Sequence, residues 1–328
     1  MSKTVTVKAH TNIALVKYWG KKDPKLMLPQ NGSISLTLDH FYTETSVTFD
    51  PHATADQVSF NQKVIAPQKA QRIIKFLDLI RERSGETARA IVKTSNHVPT
   101  SAGLASSASG FAALAAAGSR AAGLELSLTD LSRLARRGSG SATRSIFGGF
   151  VEWHAGSDDA SSYAEPIQDP VDWDIQMIAV VLQASKKPIS STAGMQRVVT
   201  TSPYYPAWVE TANADLVAMR QAIAAHDLAA VGELAETNAM RMHALNLSAK
   251  PAFNYFTADT LTAIKAVQDL RANGINCYYT LDAGPNVKII CASSDTGTIK
   301  TALQRYFAAS QLIVAQPGPG ISITETLH

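Results

Sequence analysis

Apolar and polar positions alternate along Ile34-Ser-Leu36-Thr-Leu38 and Thr43-Glu-Thr45-Ser-Val47-Thr-Phe49, the period of a half-buried strand. The first sixty residues are therefore expected to form antiparallel strands. Val58-Ser-Phe60-Asn61-Gln62-Lys63-Val64-Ile65 predicts a tight hairpin turning at Asn61-Gln62. From Pro67 the period changes to that of a helix. Ile73, Phe76, Leu77 and Ile80 form one stripe, with Pro at the start and Ser84-Gly85 as the stop. Ala90-Ile-Val-Lys93 then reads as a strand that delivers the chain to a stretch of small residues and an alanine-rich helix. A second helix is expected from Leu128 to Arg137, capped by Ser127 or Thr129, and it ends at the loop Gly138-Ser-Gly-Ser-Ala142.

Ile175 to Leu182 is a buried-strand run, and Lys186-Lys187-Pro188 after it marks a loop and a domain boundary. Long helices follow at 208–225 and 228–242, around a turn at His226-Asp227. Leu261, Ile264, Val267 and Leu270 give another helical stripe, closed by Asn273-Gly274. Strands at 277–281 and 287–291 flank the turn Asp282-Ala-Gly-Pro-Asn286, and a helix at 298–307 leads to a strand at 312–315. This order predicts a split βαβ sandwich in the second half. The expected division is 1–185 and 186–328.

At 328 residues, 45% hydrophobic and 17% charged, the chain has the balance of a soluble globular protein with a large core. A net charge of +3, with no run of Lys or Arg, argues against nucleic acid as the main partner. Cys277 and Cys291 lack metal-ligand spacing and read as buried free thiols of a reducing, cytoplasmic compartment. Met1-Ser-Lys-Thr-Val-Thr-Val lacks the apolar core of a signal peptide and Arg120 breaks even the alanine-rich segment, so neither a signal peptide nor a membrane span is expected.

Four segments carry candidate chemistry. Pro99-Thr-Ser-Ala-Gly103-Leu-Ala-Ser106-Ser107-Ala-Ser109 places small residues at a helix start, where unpaired amides and the positive dipole end suit a phosphate. The spacing and lysine of a P-loop are absent, and a tightly packed helix start without a ligand is the alternative. His10-Thr-Asn12-Ile-Ala-Leu-Val-Lys17-Tyr18-Trp19-Gly20-Lys21 sets a lysine after an apolar run, where a desolvated ammonium could stabilise a developing alkoxide or phosphate oxygen. A snorkelling lysine on an edge strand is the other reading. Gly138-Ser139-Gly140-Ser141-Ala142-Thr143-Arg144-Ser145 combines hydroxyls, amides and an arginine able to clamp a carboxylate or phosphate. Asp282, at a strand end before Gly284-Pro285, is placed either to project into a cleft or to cap its own turn. His97 and His243 lack partners at triad-like or metal-like spacing and read as structural or positioning residues.

Together these motifs resemble the GHMP family of small-molecule kinases, whose signature Pro-x3-Gly-Leu-x-Ser-Ser-Ala is matched by Pro99, Gly103, Leu104, Ser106, Ser107 and Ala108. Within it the chain is most similar to the diphosphomevalonate decarboxylase branch, through Asn12 to Lys21, Gly138 to Ser145 and Asp282 to Lys288. The likeness runs from about residue 8 to about residue 292. It implies an α+β, two-domain fold with a deep cleft between an N-terminal α/β domain and a ferredoxin-like C-terminal domain. It also implies ATP- and Mg2+-dependent decarboxylation of mevalonate 5-diphosphate to isopentenyl diphosphate, and a homodimer.

Carried over by resemblance, Asp282 is the base, Lys17 its electrostatic partner and Arg144 the carboxylate clamp. Tyr18, Lys21, Ser139 and Ser141 hold the diphosphate, with Ser191 a weaker addition. Thr94, Ser95 and Asn96 line the adenine pocket; Gly103, Ala105, Ser106, Ser107 and Ala108 cradle the ATP phosphates; Lys187 closes over them and Ser107 touches Mg2+. Two rivals remain: a sister enzyme acting on a mevalonate with fewer phosphates, and a non-catalytic sensor of nucleotide and metabolite.

Overall fold

The structure is a computed structural model that describes residues 3–97, 106–182 and 189–327. Its larger sheet is built on two long strands, Lys3–Val16 and Ser33–Asp50, which pair antiparallel along most of their length. Arg89–His97 adds to the second of these, and the hairpin Gln57–Phe60 and Lys63–Val64 completes that side. Asn61 and Gln62 both take positive φ, 47° and 66°, the backbone a two-residue hairpin turn requires. Phe150–Trp153 and Ala164–Gln168 extend the sheet beyond Ser33–Leu36.

Helix Pro67–Ser84 starts on its proline and ends at Gly85, whose φ of 74° only glycine adopts without strain. Ser127 caps Leu128–Gly138 by accepting from the Asp130 amide. The alanine-rich helix Ser106–Ala121 is buried over most of its circumference. Its small side chains let it lie close against the two long strands, burying apolar surface without large groups.

The second sheet runs Cys277–Leu281, Val287–Cys291, Gln176–Val180, Leu312–Ala315, every pairing antiparallel. This is the expected split βαβ order. Helices Ser191–Thr201, Tyr205–Ala224, Leu228–Ser248 and Ala258–Ala272 fill the first crossover and Thr296–Leu303 the second.

Some expectations change. The helix expected at 298–307 starts at Thr296 and stops at Leu303, where the chain turns to bury Phe307. Ser191–Thr201, assigned no element from the sequence, is helical and capped by Ser190. The boundary expected after residue 185 does not follow the strand pairing. Gln176–Val180 is a central strand of the second sheet, and Ser322–Leu327 returns to pair with Lys3–Val16. Among the described residues, no helix is long and apolar enough to cross a membrane. One core cluster joins Ile13, Leu15 and Leu36 of the first sheet to Met177, Tyr278 and Ile290 of the second. Beside this seam lies a cleft of about 620 Å3.

Candidate active site

The first long strand ends at Val16, and Lys17 just after it is 2% exposed and lines the cleft. Its Nζ donates to the Ala14 carbonyl at 2.6 Å and to Asp282 Oδ1 at 2.9 Å. Its backbone is clamped as well. The Lys17 amide donates to Asn238 Oδ1, and Asn31 Nδ2 donates to the Lys17 carbonyl. Asp282 follows strand Cys277–Leu281, in a turn tightened by the Gly284 amide donating to the Asp282 carbonyl at 2.7 Å. The returning strand Val287–Cys291 brings Lys288 Nζ to 3.1 Å from Asp282 Oδ2.

One carboxylate therefore lies between two ammonium groups. Burial alone would push the Asp282 carboxyl up, but Lys17 and Lys288 outweigh it and hold the group well below the usual carboxylate range. Lys17 responds in the opposite sense. Burial lowers it to about 8, a fall that the Asp282 charge limits.

Arg144 sits in the 3-10 segment Gly140–Ile146 and is 2% exposed. Its Nε donates to Asn12 Oδ1 and Ser35 Oγ, and its Nη1 to Ser33 Oγ. Asn12 in turn donates through Nδ2 to the Ser141 carbonyl and Ser145 Oγ, tying the segment to the first strand. Burial lowers Arg144 to about 10, so the guanidinium stays charged at neutral pH. Three buried cations, Lys17, Lys288 and Arg144, thus face one carboxylate. The excess positive charge suits a polyanion.

Tyr18 packs edge-on against Trp153, and its buried hydroxyl makes no hydrogen bond among the described residues. Burial raises its pKa, so the hydroxyl keeps its proton as a donor for an incoming oxygen. Lys21, Ser139 and Ser141 line the same cavity, as do Ser190, Ser191 and Thr192 at the start of helix Ser191–Thr201. Lys21 is lowered by burial and by Arg72, which lines the cavity from helix Pro67–Ser84 and donates to the Gly138 carbonyl.

Ser106 and Ser107 line the cleft at the N-terminus of their helix and also border a neighbouring, largely apolar cavity of about 200 Å3. Thr94 borders that second cavity and Asn96 the first. Strand alternation puts Ser95 on the opposite face, and it lines neither. Ala108 is fully buried in the helix behind Ser107. Gly103, Ala105 and Lys187 lie outside the described residues. The two cavities meet at the helix start, a shape and polarity suited to a nucleotide with its base in the apolar part and its phosphates at the amides. Among the described residues no cluster of three or more His, Cys, Asp or Glu could hold a metal ion. The Ser107 hydroxyl lies in the same cavity as the phosphate-facing helix start.

The chain matches the family described as diphosphomevalonate decarboxylase-like N-terminal domain over residues 9–164. It also matches the mevalonate 5-diphosphate decarboxylase C-terminal domain over residues 177–318. It is 36% identical to the human diphosphomevalonate decarboxylase over 324 residues, 92% of this chain and 80% of that protein. It belongs to the diphosphomevalonate decarboxylase family. The mevalonate diphosphate decarboxylase of Enterococcus faecalis superposes with a TM-score of 0.94 at 45% identity, covering 99% of this chain and all of that one. A solved structure described as "MDDEF in complex with MVAPP, AMPPCP and Magnesium" gives 0.96 at 46% identity, covering 99% and 100%.

In this member of the family, sequence reasoning missed Lys288, Arg72 and Asn238. Lys288 did carry a signal, because a lysine inside the otherwise apolar run Val287–Cys291 must find a buried partner. Asn238 and Arg72 lie on ordinary helical patterns and gave none. His243 is buried beside Phe256, with its pKa lowered to about 3 by burial and by Lys17. It stands neutral behind Lys17 and Asp282, in keeping with its structural reading.

Proposed function

We propose that the cleft converts mevalonate 5-diphosphate and ATP to isopentenyl diphosphate, ADP, phosphate and CO2, with Asp282, Lys17 and Arg144 at the reacting carbon. The observation that carries this reading is the ion pair between Lys17 and Asp282, 265 positions apart in the chain, in one cavity with Arg144, Tyr18, Lys21, Ser139 and Ser141. A tertiary alcohol is a poor nucleophile. It needs an acceptor for its proton, which Asp282 provides, and a cation near its oxygen, which Lys17 provides.

ATP with Mg2+ supplies the phosphoryl group and neutralises its charge when bound. Ser106 and Ser107, which line the cleft at the helix start, would hold the phosphates, Ser107 would supply a hydroxyl toward the metal, and the family resemblance assigns Lys187 to the same phosphates. Arg144, fixed by Asn12, Ser33 and Ser35, holds the substrate carboxylate so that its C–C bond stays aligned with the leaving oxygen. Tyr18, Lys21, Ser139, Ser141 and Ser191 hold the diphosphate. As phosphate departs, the electrons of the breaking C–CO2 bond form the new double bond. Asp282, having released the alcohol's proton to solvent before this step, is ionised again and stabilises the carbon while it is electron-deficient, before the double bond is complete.

The homodimer is carried over from the family resemblance, and sedimentation velocity tests it. A cytoplasmic setting rests on two buried, unpaired thiols.

The decisive experiment offers ATP and Mg2+ with mevalonate, its 5-phosphate or its 5-diphosphate, and follows ADP and CO2. Equal release of both from the diphosphate alone is expected. ADP without CO2 would establish a plain kinase, and tight binding without either product a sensor. Asp282→Asn should lower the turnover by ~10²–10⁴-fold or more.

A further inference from the structure

Of the buried cations that face Asp282, Lys288 alone has no task in the proposed reaction. Lys288 is 1% exposed, in a strand whose other members, Val287, Ile289, Ile290 and Cys291, are all buried and apolar. Its neighbours across the sheet are Ala179 and Thr280. An ammonium is a poor filler for such a place, because a leucine or methionine would occupy it without losing hydration. Its ion-pair partner among the described residues is Asp282 Oδ2 at 3.1 Å, and its Nζ also donates to the Asn286 carbonyl at 3.3 Å. Both ends of that anchor belong to one tight turn, so Lys288 fixes the carboxylate to the backbone that carries it.

A carboxylate held at one oxygen can still rotate about its Cβ–Cγ bond. A second ammonium 3.1 Å from the other oxygen, in an ion pair from the half of the molecule opposite to Lys17, restrains that rotation. Oδ2 makes no hydrogen bond among the described residues, so its lone pairs remain open for a substrate hydroxyl. We propose that Lys288 is a positioning residue of the decarboxylation, holding the second oxygen of Asp282 so that the carboxylate stays ionised and fixed in rotation while Oδ1 remains with Lys17. This rests on the functional reading above.

The charged and titratable groups around Asp282 are Lys17 from the first strand, Lys288 from the returning strand, Arg144 from the 3-10 segment and His243 from helix Leu228–Ser248. The imidazole is neutral and Arg144 keeps its charge through the working range. Removing Lys288 therefore leaves Lys17 as the sole ammonium paired with the carboxylate, whose proton affinity must rise.

The test measures steady-state kinetics of Lys288→Met and Lys288→Arg with mevalonate 5-diphosphate, ATP and Mg2+, per folded molecule. In Lys288→Met, kcat should fall at least tenfold with KM for both substrates within threefold. Its activity should also decline toward acid at a higher pH than in the parent. Lys288→Arg, which keeps the charge, should keep the parent's acid limb. A fall in kcat below tenfold, or an acid limb that does not move, overturns the proposal even if the melting temperature drops, since that pattern marks a merely structural lysine. Should Lys288→Met not fold, Lys288→Gln is judged by the same two criteria. Failure of the unaltered protein to release CO2 from mevalonate 5-diphosphate would instead refute the functional reading itself.

Discussion

Lys17 is the residue whose chemistry depends most on where it is buried. Its ammonium loses its water, donates to Ala14 and Asp282, and falls to about 8. A lysine acts as a cation only below its pKa, so kcat/KM, which reports the free enzyme, should decline as pH rises through about 8. Lys17→Met should remove that alkaline limb along with nearly all activity, and a pH profile of both proteins checks it. The residue types at this scale were legible: a lysine after an apolar run, an aspartate at a strand end and an arginine among serines. That Asp282 stands between two ammonium groups was not. Lys288 lies six residues on, and only the antiparallel return of its strand brings it back to the same carboxylate.

At the scale of elements, turns and caps were read well because their chemistry is local. The Asn61-Gln62 hairpin, the Pro67 start, the Gly85 stop and the Ser127 cap follow from what each side chain does to its own backbone. The short strands Phe150–Trp153, Ala164–Gln168 and Ser322–Leu327 were missed, since pairing partners far away in sequence make them strands. Gly20 shows how an element can be set by a distant one. It takes φ +136°, and an added Cβ would lie 1.7 Å from the Tyr205 hydroxyl, which itself donates to the Trp19 carbonyl. Gly20→Ala should cost about 1–3 kcal/mol of stability. It should also raise KM for mevalonate 5-diphosphate, because Tyr18 and Lys21 flank the displaced backbone. Thermal melts and steady-state kinetics read the two effects separately.

Across the whole molecule, a buried polar seam ties the first strand to the helices of the second half beside the cleft. Asn238, on a helix of the second half, accepts from the Lys17 amide and donates to Asp215, which also pairs with Arg241. Asn238→Ala would leave a buried amide and a carboxylate short of partners, costing about 1–3 kcal/mol. It should lower kcat by loosening Lys17 against Asp282, measurable alongside the loss in melting temperature. Read alone, the sequence determined the fold class, most elements and the motifs that tie the chain to its family, because periodicity and capping act within a few residues. Only the tertiary structure decided which charges share one carboxylate, that the second sheet recruits Gln176–Val180 from before the expected boundary, and that Ser95 faces away from the cavities. Those facts depend on strand register and on the desolvation of groups brought together from distant parts of the chain, and neither quantity exists until the chain has folded.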